Sequence, residues 1–187
     1  MSEPDPSASV ASTPDKTLTY AYREASHAVV WMLSGIKIVS VTLNQSVEHV
    51  GIFVKRNFGC TTPGDYVGPD EINSEGHSRL YISGALAGGI GEEAFTGCKS
   101  DGINQDYELV NKCTAKVNPQ KAHDLLVSVI ANLNLLFKEK DARSAVDELA
   151  FLLIQREAYG ADVYRIILKH CPTRLLTAAV GRDATES

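Results

Sequence analysis

Apolar and polar positions follow two different periods along this chain, and each change of period marks an element. Leu18, Tyr22, Ala25, Val29 and Met32 recur at intervals of three or four residues, the spacing of one face of an α-helix. Thr17 or Thr19 is placed to cap that helix, and Gly35 to stop it. The runs IKIVSVTL (36–43) and HVGIFVK (49–55) are rich in β-branched residues and joined by a short polar stretch, which predicts an antiparallel pair. Residues 56–73 hold Gly59, Pro63, Gly64, Gly68 and Pro69, the turn chemistry of an exposed loop.

Helical spacing returns over 74–96 in spite of Gly84, Gly88, Gly89 and Gly91. Each interior glycine costs about 0.5–1 kcal/mol relative to alanine, so this density predicts a helix face pressed close to another backbone. After GCKSDGIN the helical period resumes at Asp106, breaks at Pro119, and continues through amphipathic stretches at 119–139 and 141–169. Residues 1–16 are rich in Ser, Pro and Asp with little to bury, and the chain ends in the polar RDATES. The expected organisation is a disordered tail (1–16), one domain (17–170) and a C-terminal tail (171–187). The expected fold class is α+β, mainly helical, with a small antiparallel β element after the first helix.

Composition narrows the partners. With 187 residues, 44% hydrophobic and 22% charged, the chain can bury one ordinary core. A formal net charge of -5 provides no basic footprint for a phosphate backbone, which argues against nucleic acid. No stretch approaches the roughly 18 uninterrupted apolar residues of a membrane span, and the N-terminal residues lack an apolar signal core. A soluble cytoplasmic protein is expected. Cys60, Cys98, Cys113 and Cys171 are scattered, with no C-x-x-C pair, and read as reduced thiols. There is no G-x-x-x-x-G-K-[ST] phosphate loop, so ATP is not an expected ligand.

The segment AYREASHAVV (21–30) carries the candidate chemistry. In an H-E-x-x-H motif, two histidines one helical turn apart reach a single zinc ion, and the glutamate between them activates the metal-bound water. Here the same register reads R-E-x-x-H. Three further segments follow in order: HVGIF, GGIGEEAFTG and SDGINQD.

Together these segments resemble the peptidase domain of the FtsH-type zinc metalloproteases. That family carries a segment like AYHEAGHAVV, a β pair with a Gly-aromatic step, a helix like GRAAEELVFG, and TGASND, whose aspartate is the third zinc ligand. The similarity spans roughly residues 17–170, and the match from Gly88 to Asp106 needs no gap. The resemblance implies that Glu24 matches the general base, and that His27 and Asp106 match the second and third zinc ligands. Glu92 and Glu93 match paired glutamates, one of which would support a ligand from behind. Arg23 stands at the first ligand position, and Ser26 replaces a glycine.

The arginine changes what this site can do. A catalytic zinc normally takes three protein ligands and water, whereas a guanidinium stays protonated and has no lone pair to donate. At 4 Å and an effective dielectric near 20, each pair of unit charges interacts by roughly 4 kcal/mol, so a dication is opposed by about twice that. Three arrangements follow. Arg23 replaces the zinc charge in an internal salt bridge with Asp106, Glu24 and Glu92 or Glu93; or it reaches solvent while Asp106 caps its helix; or a metal is retained with a ligand such as His49 or His77. His123 and His170 lie on late helices and are not expected at the site.

Two functions are compatible with these readings. One is a non-catalytic peptide- or protein-binding or regulatory protein that needs no cofactor and holds an extended peptide beside the β pair. The other is an active zinc metalloendopeptidase with Glu24 as base and a rebuilt metal site. Without the ATPase module through which the family also assembles, a monomer or small homo-oligomer is expected.

Overall fold

The computed structural model describes residues 16–43, 60–63, 75–98 and 103–174. In chain order these form α1 (Lys16–Leu33), β1 (Ile38–Thr42), β2 (Cys60–Pro63), α2 (Glu75–Thr96), α3 (Ile103–Thr114), α4 (Pro119–Leu136), α5 (Lys140–Gln155), β3 (Ala158–Tyr159) and α6 (Gly160–His170). The class is α+β and mainly helical, with a small antiparallel sheet following the first helix.

α1 is the central helix. It packs against α2, α5, α6 and the first two strands, and from Arg23 to Met32 every residue is buried. Its C-terminus closes as the pattern predicts: the Gly35 N–H donates to Met32 O and the Ile36 N–H to Trp31 O, with Gly35 at φ 84°. This is the glycine-terminated arrangement that satisfies the last carbonyls of a helix. The start differs from expectation. The helix already runs from Lys16, so Thr17 and Thr19 lie inside its first turns and are not N-caps.

α2 meets α1 at very short range. A Cβ at Gly84 would lie 1.4 Å from Trp31 Nε1, one at Gly88 would lie 2.1 Å from His27 Nε2, and one at Gly91 would lie 2.0 Å from Ser26 Oγ. The glycines recur at helical spacing and leave a trough into which α1 side chains settle, the close crossing that their density predicts. Around this pair, Val29, Ile82, Phe137, Val146, Leu149 and Ile167 belong to one continuous apolar core.

The sheet has the order β2-β1-β3 and is antiparallel throughout. β1 falls where expected, but the expected partner at 49–55 lies outside the described residues. Cys60–Pro63, read as part of an exposed loop, forms β2, with Thr42 opposite Cys60 and Ile38 opposite Pro63. Two threonines suit a strand, and Pro63 sits at its end, where a missing N–H costs least. The stretch 141–169 is also not one helix. It breaks at Arg156–Glu157, and Ala158–Tyr159 form β3 opposite Val41 and Ser40.

The packed chain continues past residue 170. Cys171 is buried and Arg174 pairs with Glu139 at 2.5 Å. Among the described residues, no helix is long and apolar enough to cross a membrane.

The crossing makes a quantitative expectation. Gly84→Ala should cost about 3 kcal/mol, because Trp31 has to be displaced. Gly97→Ala, at φ 71° with open space around it, should cost only about 1 kcal/mol of backbone strain. Urea unfolding of both variants measures the difference, and similar costs would refute the close crossing.

Candidate functional site

Antiparallel packing of α1 on α2 sets opposite residues together in steps of four: Trp31 by Gly84, His27 by Gly88, and Arg23 by Glu92. α3 packs on α2 and brings Asp106, in its first turn, to the same place. Arg23, Glu24, His27, Glu92 and Asp106 are all buried, none more than 4% exposed. Five ionisable side chains inside a domain of this size require strong mutual compensation, because an unpaired buried charge is costly.

Arg23 provides much of it. Its Nη1 donates to Glu92 Oε2 at 3.2 Å, and its Nη2 donates to Asp106 Oδ2. One guanidinium thereby ties α1 to α2 and α3, using the planar fork that distinguishes arginine from lysine. The reading in which Arg23 reaches solvent fails, since only 2% of it is exposed. Asp106 does lie in the first turn of α3, but its carboxylate faces the site and accepts from Arg23.

His27 is held from behind. Its Nδ1 lies 2.7 Å from Gly84 O, and a carbonyl only accepts, so Nδ1 carries the proton and donates. That bond orients the ring and turns Nε2 toward Asp106 Oδ2, 3.7 Å away. The missing Cβ at Gly88 leaves the ring its place, and Trp31 stacks on it with centroids 5.7 Å apart.

The paired glutamates separate. Glu92 is 0% exposed and bonded to Arg23, whereas Glu93 is exposed and borders a recess between α2 and α3. Of the two, Glu92 is the one that bonds Arg23. The recess, lined by Leu86, Gly89, Ile90, Asp106 and Tyr107 among others, holds about 60 Å³. That is well below the roughly 300 Å³ at which small-molecule sites begin. His77 is exposed in the first turn of α2, and His123 is exposed on α4. His170 bonds Glu148 at 2.7 Å on the α5–α6 surface, and His49 lies outside the described residues.

The donor set does not fit a zinc ion. His27 Nε2 and Asp106 Oδ2 are near enough to share a metal about 2 Å from each, but Arg23 donates to that same Asp106 oxygen. A dication there would face a fixed cation. Among the described residues, no group of three His, Cys, Asp or Glu side chains is arranged to hold a metal.

Sequence reasoning overlooked one neighbouring group. Tyr22 stacks on Phe95 at 4.9 Å, Arg143 lies 4.5 Å above the same ring, and Phe137 meets it edge-on. Burial, with Asp147 beside it, raises the Tyr22 hydroxyl above its usual pKa, so this cluster is apolar packing with a neutral phenol. The i, i+4 spacing of Arg143 and Asp147 was the available signal, but their partner Tyr22 lies on another helix.

Glu92→Gln should destabilise the fold by about 3 kcal/mol, whereas Glu93→Gln should change it by less than about 0.5 kcal/mol, both by urea unfolding. Burial raises the Cys113 thiol to about 11 and also pushes Cys171 up, so neither should react with iodoacetamide at pH 8 in the folded protein. Peptide mass mapping should find alkylation at the partly exposed Cys98 before either of these. No protein-family model matches the chain, and no curated protein matches it.

Proposed function

We propose that this chain is a metal-free relative in design of the FtsH-type peptidase domain, acting as a non-catalytic peptide- or protein-binding or regulatory protein. The observation that carries the reading is Arg23, buried and bonded to Glu92 and Asp106 at the position where the resembling family has its first zinc ligand. Hydrolysis by that chemistry needs a metal-bound water for Glu24 to activate. With a guanidinium on Asp106, Glu24 has no such water to work on.

Binding by strand addition uses a sheet edge. Among the described residues β1 is paired by β2 on one side and β3 on the other, so an extended peptide would pair with a strand other than β1. Cys98, Cys113 and Cys171 are free thiols, in keeping with a reducing cytosol. The partner class we propose is a protein or peptide.

The competing reading, an active zinc endopeptidase, draws on the meeting of His27 and Asp106 with His27 Nδ1 anchored. Elemental analysis of untagged, dialysed protein separates the two, together with incubation on fluorescein-labelled casein. The expected result is zinc far below one ion per chain, no release of fluorescent peptides, and saturable binding of labelled casein peptides by fluorescence polarisation. One zinc per chain with chelator-sensitive hydrolysis would overturn the proposal and establish the peptidase.

A further inference from the structure

Arginine is almost never wholly buried, and here it donates to Glu92 and Asp106, which lie on two other helices 69 and 83 residues further along the chain. We infer that the Arg23 guanidinium fills a cation-binding pocket walled by Asp106, Glu92 and the His27 imidazole, and serves as a tethered substitute for a diffusible cation.

The walls have the chemistry of such a pocket. Two are carboxylates, 0% and 4% exposed, whose mutual repulsion in a poorly hydrated interior requires a positive charge near both. The third is an imidazole with its proton committed to Gly84 O, so that Nε2 faces the same Asp106 oxygen that Arg23 contacts. Gly88 keeps space beside Nε2 that any larger residue would fill. These donor atoms arrive on three helices, and the cation is carried in on the side chain that precedes His27 by one turn.

Tethering has a consequence. A diffusible ion is lost when its concentration falls or a chelator competes, whereas a side chain has no dissociation step and a permanently high effective concentration. Folding of this protein is therefore indifferent to metal supply, and α3 stays joined to α1 and α2 at any ion level. The assignment rests on the metal-free reading of the site, but its test measures stability rather than hydrolysis, so the two fail separately.

Arg23→Ala empties the pocket. Its melting temperature should fall by about 10 °C, the shift expected from stranding buried carboxylates in a domain of this size. Millimolar guanidinium or ethylguanidinium, far below denaturing levels, should recover a substantial part of that loss. Neither cation nor EDTA should move the melting point of the native protein, and the pocket should lose its response in Arg23→Ala combined with Asp106→Asn. An Arg23→Ala protein that is fully stable, or one that is destabilised but responds to neither cation, overturns the assignment. If Arg23→Ala does not fold, Arg23→Lys and Arg23→Met decide the matter. Lysine keeps the charge without the fork and should melt between native protein and Arg23→Met, whereas equal melting of the two variants would refute a cation pocket.

Discussion

The short distance between α1 and α2 is the constraint on which the rest of the structure depends. Three α2 positions that would collide with Trp31, His27 and Ser26 if they carried a Cβ are glycine. Glycine within a helix sacrifices about 1 kcal/mol per position relative to alanine, and what it returns here is proximity. Only at that distance does the His27 ring reach Gly84 O, and only in that register does Arg23 lie opposite Glu92. A conventional leucine-and-alanine interface would hold the axes farther apart and leave the guanidinium short of its acceptors.

The ion cluster depends on this crossing and in turn secures α3. That helix contributes Val110 and Cys113 to the core, with Leu109 packed against it, and Asp106 adds a directional bond to Arg23. Buried ion pairs return little net stability, because desolvation offsets the Coulombic gain. Their effect is on specificity: a planar fork with acceptors on two helices is satisfied by one arrangement, whereas apolar contacts tolerate many. The α2–α3 recess, too small for a metabolite, is the residual gap beside this bond.

Chemically, a fixed cation beside Asp106 does more than the absence of a metal ligand would. Without a group at that point, Asp106 and His27 would face an open position accessible to water or a metal. An arginine instead uses the Asp106 oxygen and supplies positive charge itself, so the same carboxylates that would attract a metal are already compensated. His27 keeps its buried place on α1 against Gly84 and Gly88 at the crossing, and Glu24 is buried beside Arg23 on the same helix.

How much of this was legible from the residues alone follows from the range of each interaction. Helical period, the stop at Gly35, and the glycine density of α2 are local signals, and the helices, the α1 terminus and the close crossing follow from them. The R-E-x-x-H register likewise puts Arg23 and His27 one turn apart on one helix, in any fold that contains it. Pairings distant in sequence were not legible: that 60–63 rather than a loop lies against β1, or that 158–159 interrupts a helical pattern to flank it, depends on which backbone edge β1 offers. Nor does sequence distinguish Glu92 from Glu93. Adjacent helical residues point about 100° apart, and only the direction from which α1 approaches turns one inward and leaves its neighbour in water. The sequence by itself determined the helices, the glycine face and the identity of the charged residues, because those are properties of near neighbours. Tertiary structure alone decided that Arg23 turns inward onto Glu92 and Asp106, because a buried charge goes where distant segments bring its counter-charges.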